Sequence, residues 1–170
     1  MVARNPGSLP GHTVLGLLAS QRNQLDAALA EYRAALQTDP GFPPALYNLG
    51  NVLLAQRRFD DAVDAYRAAL LRDPGNARYL NNLGVALAEA GRPFEADECF
   101  YAVLRTNPKN VDALIGHGVV SRQLGHYSVS IDAFEQALSI DPHSQLARRG
   151  IEQTYTAMRM GLPLPTTSPR

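Results

Sequence analysis

Apolar residues return along this chain at the step of an α-helix. Leu46, Leu49, Leu53 and Leu54 share one helical face, and Val63, Tyr66, Ala69 and Leu70 share another a few residues on. Short polar breaks separate such runs: Gln21-Arg22-Asn23, Gln56-Arg57-Arg58, Gly91-Arg92-Pro93 and Gly125-His126. Firmer stops fall at Asp39-Pro40, Asp73-Pro74, Asn107-Pro108 and Asp141-Pro142, because a proline disfavours a helical residue before it. Asn76, Asn110 and Ser144 come two residues after three of these prolines, and each has an oxygen able to cap the next helix. Pro93 falls at a helix start, where a missing N–H does no harm. The pattern predicts paired helices throughout.

The stops are periodic. Each of the four prolines follows the last by 34 residues. The same step aligns Gly16, Gly50, Gly84 and Gly118; Ala28, Ala62, Ala96 and Ser130; Tyr32, Tyr66, Phe100 and Phe134; and Leu36, Leu70, Leu104 and Leu138. Ala35, Ala69, Val103 and Ala137 form one more column. A glycine inside a helix costs about 1 kcal/mol against alanine, so a glycine repeated there marks close approach of another helix. The small residue 12 positions on is its expected packing partner. The aromatic follows that small residue by four, on the same helical face.

Spacing and residue type together resemble the tetratricopeptide-repeat family, whose 34-residue pattern runs W-x2-L-G-x2-Y, A-x3-F, P. The Leu-Gly step appears as Leu15-Gly16, Leu49-Gly50 and Leu83-Gly84, and as His117-Gly118 in the fourth unit. The tryptophan position holds His12, Leu46, Leu80 and Leu114, and the tyrosine position holds Ala19, Leu53, Leu87 and Ser121. The resemblance implies an all-α fold, a right-handed superhelical solenoid of four antiparallel helix pairs with a C-terminal capping helix. The expected units are residues 9–42, 43–76, 77–110 and 111–144, after an N-terminal arm over 1–8. A closing helix is expected over 144–160, with Ala147, Ile151, Tyr155 and Met158 on its inner face, then a flexible tail over 161–170 rich in glycine and proline.

Composition narrows the function. Lys plus Arg and Asp plus Glu are both 16, so the net charge is zero. That argues against nucleic acid and against attachment to an acidic membrane. No run approaches the roughly 18 apolar residues of a membrane span, and a cytoplasmic location is expected. Cys99 is the one cysteine and reads as a small buried hydrophobe. None of His12, His117, His126 and His143 stands at metal-ligand spacing, and His117 reads as a core substitution for a packing leucine. Asp60, Asp61 and Asp64 fall on an outward face and read as solvation. Neither a phosphate-binding loop nor a nucleophile elbow is present. The expectation is no enzyme, no metal and no cofactor.

In the family this chain resembles, the first helix of each pair lines a concave groove that holds a protein or peptide partner. Carried over by position, the partner-binding residues are Tyr47, Asn48, Asn51, Arg78, Asn81, Asn82, Val85, Ile115, Val119 and Arg122. Asn48 and Asn82 stand one repeat apart and resemble the start of an asparagine ladder that grips a guest's backbone. Such side chains can equally bond within the stack. The lysine and the second basic residue of chaperone-tail clamps are missing. Tyr47 and Arg78 are the expected anchors. A monomeric adaptor is the leading expectation. Two alternatives remain: a substrate-recruiting module of an enzyme such as a glycosyltransferase, suggested by Tyr-Asn-Leu-Gly-Asn at 47–51 and Asn-Asn-Leu-Gly at 81–84, and self-association through repeat one.

Overall fold

The computed structural model describes residues 8–161. Among the described residues every regular element is an α-helix: α1 (Leu9–Gln21), α2 (Leu25–Thr38), α3 (Pro43–Ala55), α4 (Phe59–Leu70), α5 (Ala77–Glu89), α6 (Pro93–Thr106), α7 (Val111–Gln123), α8 (Tyr127–Ile140) and α9 (Gln145–Met160). The fold is an all-α helical repeat. Of the expected N-terminal arm only Ser8 is described, and the expected tail beyond Gly161 lies outside the described residues. Among those described, no helix is long and apolar enough to cross a membrane.

The helix starts follow from side chains. Asn76 Oδ1 accepts from the N–H groups of Arg78 and Tyr79 at 3.1 and 3.2 Å. Asn110 accepts from Ala113 at 2.9 Å, and Ser144 from Ala147 at 3.3 Å. The matching position before α3 is Phe42, which makes no side-chain cap; Pro43 and Pro44 open that helix instead, where a helix has no partner for an N–H anyway. Within each pair the turn needs one left-handed residue: Asn23, Arg57, Gly91 and Gly125, with φ between 57° and 76°. Arg58 and Arg92 then open α4 and α6 and pair with Asp61 at 2.6 Å and Glu95 at 2.7 Å.

The chain divides into two compact units, residues 1–86 and 87–170, and the division falls inside α5. In the first, α1 packs on α2, α2 on α3 and α3 on α4. In the second, α6 packs on α7 and α7 on α8, while α9 covers both α7 and α8. Each core is built on the aromatic column. Tyr32, Tyr66, Phe100 and Phe134 are all fully buried, beside Ala28, Ala62, Ala96 and Ser130.

The glycine column makes room for those rings. A Cβ at Gly16 would stand 2.6 Å from the ring of Tyr32, at Gly50 2.6 Å from Tyr66, and at Gly118 2.9 Å from Phe134. The small residue 12 positions on is the expected partner, and the atoms nearest a Cβ at these glycines belong to the aromatic ring four residues beyond it. In the fourth pair the small residue also meets the glycine, Ser130 Oγ donating to the Gly118 carbonyl at 2.7 Å.

Two further expectations are corrected. The inner face of α9 is Ala147, Gly150 and Thr154 with half-buried Ile151, whereas Tyr155 and Met158 are exposed. The seam is turned because Gly150 lies flat on Phe134, where a Cβ would come within 2.4 Å of the ring. His117 is not a core residue: its Nδ1 meets Asp97 Oδ1 at 2.5 Å, with both side chains part-exposed. Cys99 is half-buried.

Candidate functional site

The first unit carries a connected cluster of aromatic, amide and guanidinium groups on α3, α4 and α5. Tyr66, buried on α4, donates its hydroxyl to Asn51 Oδ1 on α3 at 2.8 Å. Asn82, on α5, donates to the same oxygen at 2.8 Å and to the Tyr47 hydroxyl at 3.1 Å. Tyr47 is thereby held at its tip by one repeat and at its faces by two. The ring of Tyr79 stacks on it at 4.9 Å between centroids and 27° between planes. Tyr66 is tilted against it at 5.9 Å. The Arg78 guanidinium lies 5.8 Å from its centroid, within the range where a cation is drawn to a ring face.

Burial grades this cluster from inside to outside. Tyr66 is sealed, Asn51, Tyr47, Tyr79 and Asn82 are half-buried, and Arg78 is exposed. Burial holds Tyr66 neutral, its pKa raised well above that of a free tyrosine, with Tyr47 adding to the rise and Asn82 opposing it. Tyr79 shifts upward too, through burial first and Asp73 next, with Arg78 opposing. The polar base is satisfied, and the cation at its rim is open to water. Such a surface offers flat apolar contact and one positive charge.

The other sequence-selected residues are placed as follows. Asn48, on α3, is half-buried; Asn81 is buried and Val85 is exposed, both on α5. In the second unit Ile115 and Val119, on α7, are half-buried and pack against the cluster of Leu114, Phe134, Ala137 and Ala147. Arg122 is half-buried on the same helix. The second unit also has its own groove of about 470 Å³, lined by Tyr101, Leu104, Arg105, His117, Val129 and Asp132 among others. Among the described residues no three His, Cys, Asp or Glu side chains gather as a metal site.

Tyr79 and Tyr66 are the members of the cluster that the groove positions did not include. Tyr66 had been assigned wholly to the core. Tyr79 had a signal of its own. It occupies the column of Gly11, Ala45, Ala113 and Ala147, all of them buried. A tyrosine among glycine and alanine cannot take the same seat, so its ring swings onto Tyr47 of the preceding pair.

Family models described as tetratricopeptide repeat match residues 19–84, 76–107 and 111–144. No curated protein matches this chain. Among solved structures it is similar to MamA, with a TM-score of 0.79 and 22% identity over 89% of this chain and 83% of that one. It is also similar to YrrB, described as a TPR protein with an unusual peptide-binding site, with a TM-score of 0.75 and 23% identity over 93% and 81%. The Sgt2 TPR domain from Aspergillus fumigatus aligns with a TM-score of 0.65 and 25% identity over 75% and 88%.

Proposed function

Since the chain belongs to the tetratricopeptide-repeat family, we propose that it is a non-catalytic scaffold that holds a segment of another protein against Tyr47, Asn48, Arg78 and Tyr79. The fold itself is that of a protein–protein interaction module. The observation that carries the reading is the Tyr47 ring, braced by Tyr79, Tyr66, Asn82 and Arg78 while still half-exposed. A side chain fixed before binding loses little entropy when a guest covers it. Tyrosine and arginine are also the residue types that most often dominate binding energy.

The asparagines divide between two tasks. The network uses both hydrogens of the Asn82 amide and the oxygen of Asn51. The Asn82 oxygen, the Asn51 amide and both ends of Asn48 remain for a guest's backbone. Asn81 and Val85 flank them on α5. In the second unit Ile115, Val119 and Arg122 on α7 are assigned to partner contact by their position in the repeat alone. YrrB, with its peptide-binding site, is consistent with a peptide-like guest.

A photo-crosslinking amino acid at position 48 tests this in the cell. It should capture a discrete protein that the same group at position 64 does not. Tyr47→Ala with Arg78→Ala should cut that capture at least tenfold while the far-ultraviolet circular dichroism stays unchanged. Equal capture from both positions, or full capture by the double variant, contradicts the proposal.

A further inference from the structure

Tyr66 carries a hydroxyl that packing does not require. Phe100 and Phe134 stand in the same column of the repeat and are as fully buried, so a bare ring satisfies the core. Taking a hydroxyl out of water costs free energy unless it finds a partner. The partner of Tyr66, Asn51, departs from its own column as well. The residue 15 positions before each aromatic is Leu17, Asn51, Val85 and Val119 in turn. Tyr32, with Leu17 at that place, has its hydroxyl 3.4 Å from Ser20 instead. The buried hydroxyl and the amide that accepts from it thus arrive together, in one repeat.

Their bonds run from the core to the groove. Tyr66 donates to Asn51 Oδ1 at 2.8 Å, and Asn82 donates to the same oxygen at 2.8 Å. Asn82 spends its other hydrogen on the Tyr47 hydroxyl at 3.1 Å. An amide oxygen has two lone pairs, and both of those on Asn51 are taken. The end that Asn51 can offer a guest is therefore its NH2 group, and the end that Asn82 can offer is its oxygen. Neither amide can turn over without breaking two bonds. Without the Tyr66 hydroxyl, one bond is left on Asn51, and Asn82 and the tip of Tyr47 depend on it.

We infer that Tyr66 is a positioning residue for the guest. Sealed in the core, it never touches the partner, yet it fixes which ends of Asn51 and Asn82 the partner meets and steadies the Tyr47 ring. The inference rests on partner docking at Tyr47 and adds a demand on the guest's chemistry. The guest brings a carbonyl to Asn51 and an N–H to Asn82. A guest that brings them the other way round meets donor with donor and acceptor with acceptor, and is rejected.

The test uses the photo-crosslinking group at position 48 in the full chain. Tyr66→Phe should cut capture about fivefold, the effect of one lost hydrogen bond, with the far-ultraviolet circular dichroism unchanged. Tyr32→Phe is the matched control: it also deletes a hydroxyl from a fully buried ring, and capture should stay as in wild type. In the free chain, nuclear magnetic resonance should show the Asn82 side-chain amide exchanging with water faster in Tyr66→Phe and unchanged in Tyr32→Phe. Full capture by Tyr66→Phe, where Tyr47→Ala with Arg78→Ala abolishes it, overturns the positioning role and leaves docking at Tyr47 standing. An equal loss in Tyr32→Phe overturns it too, because the loss would then follow from stability alone. So does an Asn82 amide that exchanges no faster in Tyr66→Phe. Capture that survives Tyr47→Ala with Arg78→Ala removes docking itself, and the positioning role falls with it.

Discussion

Tyr66 in the first unit and Phe134 in the second occupy the same column of the repeat, yet their surroundings are opposite. Tyr66 ends in a hydroxyl, and the first unit answers it with Asn51 and Asn82. Phe134 ends in a bare ring edge, and the second unit answers it with Gly150, whose missing Cβ would stand 2.4 Å from the ring. The residue 16 positions after each aromatic is Asn48 or Asn82 after Tyr32 and Tyr66, and Gly116 or Gly150 after Phe100 and Phe134. Gly116 lies on Phe100 as Gly150 does on Phe134. At Tyr66 the next helix brings an amide into the hydroxyl's network, at Phe100 and Phe134 it brings a bare glycine, and at Tyr32 the hydroxyl meets Ser20 of the preceding helix instead. Buried polar groups must be satisfied, and the satisfied network in the first unit fixes Tyr47 beside it. The dry seat in the second unit fixes only packing.

The largest test of this contrast is in the dry seat. Phe134→Ala should cost about 3–5 kcal/mol by cavity formation, read as a fall in the denaturant midpoint. Phe134→Tyr should cost about 1–3 kcal/mol, because the added oxygen drives into the helix at Gly150. The reverse change, Tyr66→Phe, should cost only about 1 kcal/mol. In a double-mutant cycle with Asn82→Ala the two costs should not add, since both act through Asn51; strict additivity would show that the network is not shared. Alkali should weaken the first unit through its tyrosines. Burial raises the pKa of Tyr32, Tyr66 and Tyr79 in the fold, while an unfolded tyrosine ionises near about 10. Their contribution is intact below that pH and is lost as pH rises above it. Urea titrations on either side of it should show the drop, and Tyr66→Phe should make it shallower. The smallest change is Asn48→Ala, expected within about 0.5 kcal/mol of wild type, since no hydrogen bond in the first-unit network depends on it.

The sequence made the fold legible because the period and the column chemistry agree. Proline stops, capping asparagines and buried aromatics each imposed the same 34-residue step, and the helices begin where Asn76, Asn110 and Ser144 cap them. The site was legible only in outline. Column position singled out Tyr47, Asn51, Arg78 and Asn82 as candidates, but not that two of these asparagines hold hydroxyls inside the stack. That depends on the ends of rings from a neighbouring helix, which no periodicity encodes. His117 was misread because a leucine column suggests burial, while its carboxylate partner, Asp97, lies 20 residues earlier on a different helix. The face of α9 was misread because glycine carries no apolar signal, although Gly150 is the residue that seats the helix.

Nuclear magnetic resonance of the chain during titration with its captured partner segment tests the central claim most directly. The account predicts that the largest shifts fall on the Tyr47 and Tyr79 rings and the Arg78 guanidinium, and that they vanish with Tyr47→Ala. Shifts gathered instead around Tyr101 and Val129 in the second-unit groove, with Tyr47 and Tyr79 unmoved, would contradict it.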